Sequence, residues 1–211
     1  MRDQRVRAIA EIGLAVALAI ALNAIFSLVL PFRMPFGGSL SLIMLPIVFI
    51  ALMRGTATGI VTGILVGFSD LMFDPFVISI PQMLLDYPIA YGLVGLAGLF
   101  ALTPKLAPKL APKVGNNQSA NANLEYTQPS VQKMIAFAIA GTVVGGLARL
   151  AAHVASGVIF FAQYAPEAQN VWVYSLIYNA TFMGPNIVMV AICTAVAFPL
   201  VRSVVYANQQ A

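Results

Sequence analysis

Charged residues are scarce in this chain, and so are cysteine, histidine and tryptophan. Only 9% of the 211 residues are charged, against 60% hydrophobic, and Cys, His and Trp occur once each. A soluble domain carries roughly a quarter charged residues, so this composition argues against a soluble globular fold. With Cys193 alone no internal disulfide can form, and one Cys with one His cannot supply a conventional His/Cys zinc site. We therefore predict no metal and no cofactor.

Long hydrophobic runs stand where charge is missing, and the mean hydropathy is +0.90. A transmembrane helix needs about 20 mostly apolar residues, whereas these runs lack the alternation of a membrane β-barrel. The sequence therefore predicts an all-α, polytopic membrane protein with six transmembrane helices. The predicted spans are 6–30, 40–54, 56–73, 82–103, 131–162 and 172–205. The short second and third spans suggest a tilted or tightly packed pair around Arg54 and Gly55.

The basic residues indicate the orientation of these spans. With six crossings both termini lie on one side, and the opposite loops hold only Arg33. The side that holds the termini would also hold most of the basic residues, namely Arg2, Arg5, Arg7, Arg54, Lys105, Lys109, Lys113, Lys133 and Arg202. By the positive-inside rule both termini are predicted to be cytoplasmic, in a multi-pass cell membrane protein of prokaryotic type. The net charge of +4 therefore reports topology, and no nucleic-acid partner is predicted from it. Membrane lipid is an expected partner of the apolar spans.

The one long polar interval divides the chain. Prolines at 104, 108 and 112 forbid a regular helix, and an Asn/Gln/Ser-rich tract follows them. We predict one integral membrane domain, with helices one to four in residues 1–103, a cytoplasmic linker at 104–130 and helices five and six in residues 131–211. The first apolar run is interpreted as a membrane anchor, because it is too long for a signal peptide.

Small residues recur at four-residue spacing on two of the predicted helices. Gly55, Gly59, Gly63 and Gly67 form a stripe on the third helix, which we interpret as a groove for another helix of the same chain. Ala15 and Ala19, and also Ala17 and Ala21, are small pairs on the first helix. These alanine pairs fit either internal packing or the docking of another protein.

Polar residues within the spans are costly and usually mark a function. On the fifth helix Arg149, His153, Gly157 and Phe161 share a face, because each follows the last by four residues. Other polar and aromatic residues are predicted at the same outer depth: Phe36, Gln82, Asp86, Tyr87, Tyr174, Tyr178 and Asn179.

This chemistry favours a small, flat, partly cationic heteroaromatic ligand. Asp86 can offset a positive charge, aromatic faces can stack on a ring, and His153, Tyr174 and Asn179 can bond to a polar ring edge. Plainer interpretations stay open. Asp86 and Arg149 can form an ion pair, His153 can bond to a neighbouring helix, and Trp172 and Tyr91 can be interfacial belt residues.

Four segments together resemble a known family. GGSLSLIMLPI (37–47), QMLLDYPIAYGLVGLAGLF (82–100), RLAAHVASGVIFFAQYAP (149–166) and VYSLIYNATFMGPN (173–186) are similar to the thiamine-specific substrate-binding (S) component of energy-coupling factor transporters. The resemblance implies a six-helix protein with a thiamine pocket near the outer face. It also implies partners, namely a transmembrane coupling subunit and two cytoplasmic ATPase subunits.

The resemblance also implies residue roles. Asp86 stands where the family usually has glutamate, with Tyr87 beside it, and His153 and Gly157 match the H-x-x-x-G step. Tyr174 and Asn179 match the tyrosine and asparagine of the sixth helix. The family often stacks tryptophan on the ligand; here Phe161 stands at the fifth-helix position, and the first loop has no Trp, which leaves Phe36 or Met34. Ala15 and Ala19 match the A-x-x-x-A motif that docks the coupling subunit.

The function predicted from this set is high-affinity thiamine capture for an ATP-driven importer. The chain has no G-x-x-x-x-G-K-[ST] phosphate loop, so ATP hydrolysis would fall to partners. Two alternatives remain, an S component for hydroxymethylpyrimidine or riboflavin and a solitary facilitator. An enzyme is not expected, because no nucleophile and base stand out by spacing.

Overall fold

The computed structural model describes residues 2–73, 75–101 and 129–210. Within those ranges the chain is helical without strands, apart from an isolated β-bridge between Arg33 and Ser39. The helices are α1 (Arg2–Val29), α2 (Met44–Arg54), α3 (Thr56–Phe73), α4 (Ile80–Phe100), α5 (Val131–Phe160) and α6 (Val171–Gln210). Five are long and apolar enough to cross a membrane, and α2 is shorter. The predicted all-α membrane fold is confirmed.

Two predictions on topology stay predictions. Residues 102–128, which make up nearly all of the predicted 104–130 linker, lie outside the described residues, so the proposed division of the chain is untested. The cytoplasmic location of both termini likewise rests on the positive-inside rule. We use "outer end" below for the end of the bundle that this rule places outside.

The short helix α2 lies at the centre of the bundle. It contacts each of the other five helices, and Ile47, Ala51 and Leu52 are fully buried. The predicted span 40–54 is helical only from Met44. Asn186 explains the difference, because its Oδ1 accepts from the Ser41 amide at 2.9 Å and its Nδ2 donates to the Ser39 carbonyl at 2.8 Å. The Asn186 side chain thus satisfies hydrogen-bonding groups of the extended backbone at Ser39 and Ser41, which lipid cannot do.

Helix α4 changes its winding where the predicted site begins. An α-helical turn, Ile80–Leu84, leads into a π-helical segment, Leu85–Ile89, and the helix closes with a 3-10 segment, Gly95–Phe100. Pro88 lies inside the π segment, and it has no N–H to donate to the preceding turn. Such π segments are frequent at functional sites, and this one carries Asp86 and Tyr87.

The glycine stripe packs within the protein, as predicted. A Cβ at Gly63 would meet the Tyr91 carbonyl oxygen at 2.1 Å, and one at Gly67 would meet the Tyr87 carbonyl oxygen at 2.6 Å. Their missing side chains let the backbone of α4 lie directly on α3. Gly55 differs, because its φ of +94° makes it the break between α2 and α3.

Gly63→Ala should therefore lower the free energy of unfolding by about 1–3 kcal/mol, the usual cost of forcing a methyl group into packed space. The measurement is the midpoint of thermal unfolding in detergent. Gly13→Ala is the matched control, since a Cβ at Gly13 meets nothing within 4 Å. Equal midpoints for the two variants would contradict the close α3–α4 contact.

The predicted docking pair on α1 is placed differently from the expectation. Ala15 is 6% exposed and Ala19 is fully buried, and Ala19 belongs to the hydrophobic core. These alanines pack on the protein's own helices, because α1 lies against α2 and α3. For Ala15 and Ala19 the structure therefore favours the internal-packing alternative over the docking of another protein. Exposed small residues of α1 include Gly13, Ala17 and Ala21, which follow one another at four-residue spacing.

Candidate functional site

A cavity of about 250 Å³ lies at the outer end of the bundle. It is bounded by α4, α5 and α6, by the α1–α2 connection, and by residues at the end of α3 and just after it. All eight residues predicted to bind substrate line this cavity: Phe36, Asp86, Tyr87, His153, Gly157, Phe161, Tyr174 and Asn179. The structure thus brings these residues together from four segments of the chain, while their roles toward a ligand remain proposals.

Asp86 receives side-chain hydrogen bonds from both α4 and α5. Its Oδ2 accepts from Ser156 Oγ at 2.7 Å and from Gln82 Nε2 at 2.8 Å, and its Oδ1 lies 3.0 Å from His153 Nδ1. The Gln82 amide is oriented by Ile78, whose N–H donates to Oε1 at 3.0 Å. Three donors thus hold a carboxylate whose side chain keeps 15% exposure.

His153 uses both ring nitrogens inside the protein. Arg149 donates its Nε–H to His153 Nε2 at 3.3 Å, and a guanidinium cannot accept a hydrogen bond. Nε2 is therefore the acceptor, and the proton lies on Nδ1, which donates to Asp86. The predicted alternative of a direct Asp86–Arg149 ion pair is wrong, because the described contacts place His153 between them.

Arg149 is only 6% exposed, and its charge is balanced from two sides. Its Cζ lies 3.7 Å from the centroid of the Tyr91 ring, a cation–π contact. The Tyr91 hydroxyl donates to Asp70 Oδ2 at 2.6 Å, and Asn23 of α1 donates to Asp70 Oδ1 at 2.9 Å. A buried cation therefore lies between two carboxylates, each one side chain away.

Aromatic rings form one wall of the cavity. Phe36 stacks on Tyr164 with ring centroids 4.2 Å apart, and Phe161 stacks on Phe76 at 6.0 Å. The Phe36 and Phe161 rings lie 6.5 Å apart. The wall joins the α1–α2 connection to the end of α5, so a flat ring entering here would meet aromatic side chains on this side of the cavity.

The α1–α2 connection is held over the cavity from α6. The Tyr178 hydroxyl accepts from the Phe36 amide at 2.8 Å and donates to the Gly37 carbonyl at 3.2 Å. Gly38 has a φ of +102°, and a Cβ there would lie 2.7 Å from the Phe182 ring. Both the backbone conformation and the close approach therefore require glycine at this position.

Gly157 serves a close helix contact as well as lining the cavity. A Cβ there would meet Ser175 Oγ at 2.1 Å. Asn179 Nδ2 donates to the Ser175 carbonyl at 2.9 Å and to the His153 carbonyl at 3.3 Å. Within the described part of the chain, Asn179 Oδ1 and the Tyr174 hydroxyl make no hydrogen bond, so both can bond to a ligand.

The sequence interpretation overlooked Asp70, Ser156 and Phe76 and gave no role to Arg33, although all four line the cavity. A signal existed for Asp70, because a carboxylate within an apolar span is itself a functional marker. Ser156 and Phe76 carry no such signal in sequence. Trp172 is 60% exposed and does not line the cavity, in keeping with the belt interpretation, whereas Tyr91 is buried at the site.

The fold and the cavity define a multi-pass membrane protein with an internal polar site for a small ligand. Comparison with known proteins identifies the family. Residues 9–206 match the sequence model of the thiamine transporter protein (Thia_YuaJ) family, and the chain belongs to that family. This confirms the resemblance found in the four sequence segments. Members are transport proteins rather than enzymes, and the chain is a multi-pass plasma membrane protein.

Two relatives and one solved structure illustrate the likeness. The thiamine transporter ThiT of Bacillus subtilis (strain 168) is 35% identical over 189 residues, which cover 89% of this chain and 88% of that protein. ThiT of Lacticaseibacillus paracasei is 35% identical over 141 residues, covering 64% and 61%. A structure of ThiT from Listeria monocytogenes superposes with a TM-score of 0.69 over 92% of this chain and 93% of that one. At 21% identity this last likeness is one of fold.

Proposed function

We propose that this protein binds thiamine with high affinity in the outer cavity and is the substrate-capture subunit of an ATP-driven vitamin importer of the energy-coupling factor type. The observation that carries the proposal is the Asp86 carboxylate, held beside an aromatic wall in the outer cavity. Family membership supports thiamine, since the two curated relatives are both called thiamine transporters.

The cavity suits the two rings of thiamine. The thiazolium ring carries a permanent positive charge, which Asp86 can offset and the faces of Phe36 and Phe161 can stabilise. The aminopyrimidine ring has donors and acceptors along its edge, which match Asn179 Oδ1 and the Tyr174 hydroxyl. His153 has no free ring nitrogen in this arrangement, so we propose that it acts on the ligand through Asp86.

Transport by this chain would need partners. It carries no phosphate loop of its own, and the proposed partners are a transmembrane coupling subunit and two ATPases. We place the docking face on α1, the most peripheral of the five long helices. In its most apolar 18-residue stretch 11% of the residues are buried, compared with 28–50% in the corresponding stretches of the other four. There the exposed Gly13, Ala17 and Ala21 allow close approach of another helix.

Binding to the purified protein tests the ligand. Titration calorimetry in detergent should show saturable thiamine binding well below millimolar concentration, with hydroxymethylpyrimidine and riboflavin as competitors of lower affinity. Calorimetry is preferred to tryptophan quenching, because Trp172 does not line the cavity. No saturable thiamine signal, alongside clear binding of another vitamin, would remove the thiamine assignment. Uptake without any co-expressed coupling subunit would favour the solitary facilitator instead.

A further inference from the structure

Buried and half-buried polar groups behind Asp86 form a connected chain across four helices. It runs from Asp86 to His153, on to Arg149 and Tyr91, and reaches Asp70 and Asn23, with the contacts given above. Only the first two members are explained by the proposed ligand chemistry. The other side chains are expensive to bury in a membrane protein, so Arg149 in particular calls for a reason.

We infer that Arg149 is a positioning residue that fixes His153 in its Nδ1–H tautomer and thereby holds Asp86 as a hydrogen-bond-accepting carboxylate at the cavity wall. The expected effect of Arg149 on thiamine binding rests on the proposed function, whereas its expected effect on the His153 tautomer does not. Arg149 thus contributes to ligand recognition through His153, a role that the sequence analysis did not assign to it.

The geometry leaves His153 one arrangement. A neutral imidazole carries a proton on one nitrogen and a lone pair on the other, and the choice is set by their partners. Arg149 Nε offers only a donor to Nε2, and Asp86 offers an acceptor to Nδ1. Without the arginine, Nδ1–H would stay on Asp86, but the lone pair of Nε2 would be free to take a proton. His153 would then be a cation paired with Asp86, and the carboxylate would lose its charge toward a ligand.

Arg149 is itself fixed by its surroundings. The Tyr91 ring lies against the guanidinium at 3.7 Å, and the Tyr91 hydroxyl is tied to Asp70 at 2.6 Å. Tyr91 is 3% exposed, so the ring has little room to leave. The cation can therefore direct its Nε–H at His153 in a single orientation.

The single histidine allows a direct test in the full-length protein. Labelling with ¹⁵N-histidine marks His153 alone, and ¹⁵N spectra distinguish a protonated from an unprotonated ring nitrogen. The wild type in detergent, without ligand, should show a protonated Nδ1 and an unprotonated Nε2. Arg149→Leu should show a substantial Nε2–H population. A wild type with Nε2–H, or an Arg149→Leu spectrum unchanged from wild type, would overturn the inference.

Thiamine affinity supplies a second readout. Arg149→Leu should weaken binding by roughly 10- to 100-fold, because a protonated His153 would compete with thiamine for Asp86, a loss of the size of one charge-assisted hydrogen bond. His153→Asn carries its amide N–H close to the Nδ1 position and has no tautomer to set. In that background, adding Arg149→Leu should change affinity by no more than about twofold. An equally large loss in both backgrounds would show that Arg149 does not act through His153.

Ser156→Ala is the matched control on the same helix. It removes one hydrogen bond to Asp86 and leaves the Arg149–His153 contact in place, so affinity should fall while the tautomer stays Nδ1–H. A shift to Nε2–H in this control would mean that the tautomer follows any disturbance of Asp86, which would also overturn the role of Arg149. The spectra need no ligand, so they test the role of Arg149 even if thiamine proves not to be the ligand.

Discussion

Asp86→Asn should weaken thiamine binding by about 2–5 kcal/mol, the range measured when one partner of a buried, hydrogen-bonded charge pair is removed. The variant keeps the shape of the side chain but loses its charge. It also turns one acceptor into a donor, and the present carboxylate receives three hydrogen bonds from His153, Ser156 and Gln82. Titration calorimetry on the purified variant measures the loss directly.

The ligand's charge separates two causes of that loss. An uncharged thiamine analogue, with the quaternary nitrogen replaced, should lose less affinity than thiamine on Asp86→Asn, because only thiamine interacts with the carboxylate as a cation. Asn179→Ala is the control variant, and it should weaken both ligands alike by about 1–3 kcal/mol. Equal losses for the two ligands with Asp86→Asn would show that the carboxylate orders the cavity without sensing the cation.

Much of the site could be predicted because helical spacing reveals a shared face. Residues 149, 153, 157 and 161 are four apart, and the structure lines the cavity with all of them. Spacing does not show which face meets which helix. That Arg149 bonds to His153 and lies on Tyr91 rather than pairing with Asp86 depends on how α4 and α5 pack, which no local pattern records.

The same limit applies to the fold, where local patterns predict the helices but not the contacts between distant segments. Apolar runs predicted six helices within a few residues, but not the start of α2 at Met44, because that boundary depends on Asn186 from the far end of the chain. The π segment of α4 had a local signal in Pro88. The faces of α1 had none, since alanines at 15, 17, 19 and 21 look alike in sequence and differ only in which of them meets α2 and α3.

Ala17→Trp should abolish ATP-dependent thiamine uptake by the assembled transporter while leaving thiamine binding by the isolated protein nearly unchanged. The reason is steric. Close association of membrane helices depends on small residues at the interface, and an indole at Ala17 would stand between α1 and any helix docked on its exposed face. Uptake in cells that co-express the coupling subunit and ATPases, and calorimetry on the same variant, give the two measurements.

Ala15→Trp is the matched control, because it places the same bulk two residues away on the buried face of the same helix. That variant should lose folding, and binding and uptake should fall together. The contrast between the two variants decides the docking face. Uptake that survives Ala17→Trp would remove α1 as the site of coupling. A parallel fall of binding and uptake in both variants would assign Ala17 to the protein's own stability, even though it faces outward in this structure.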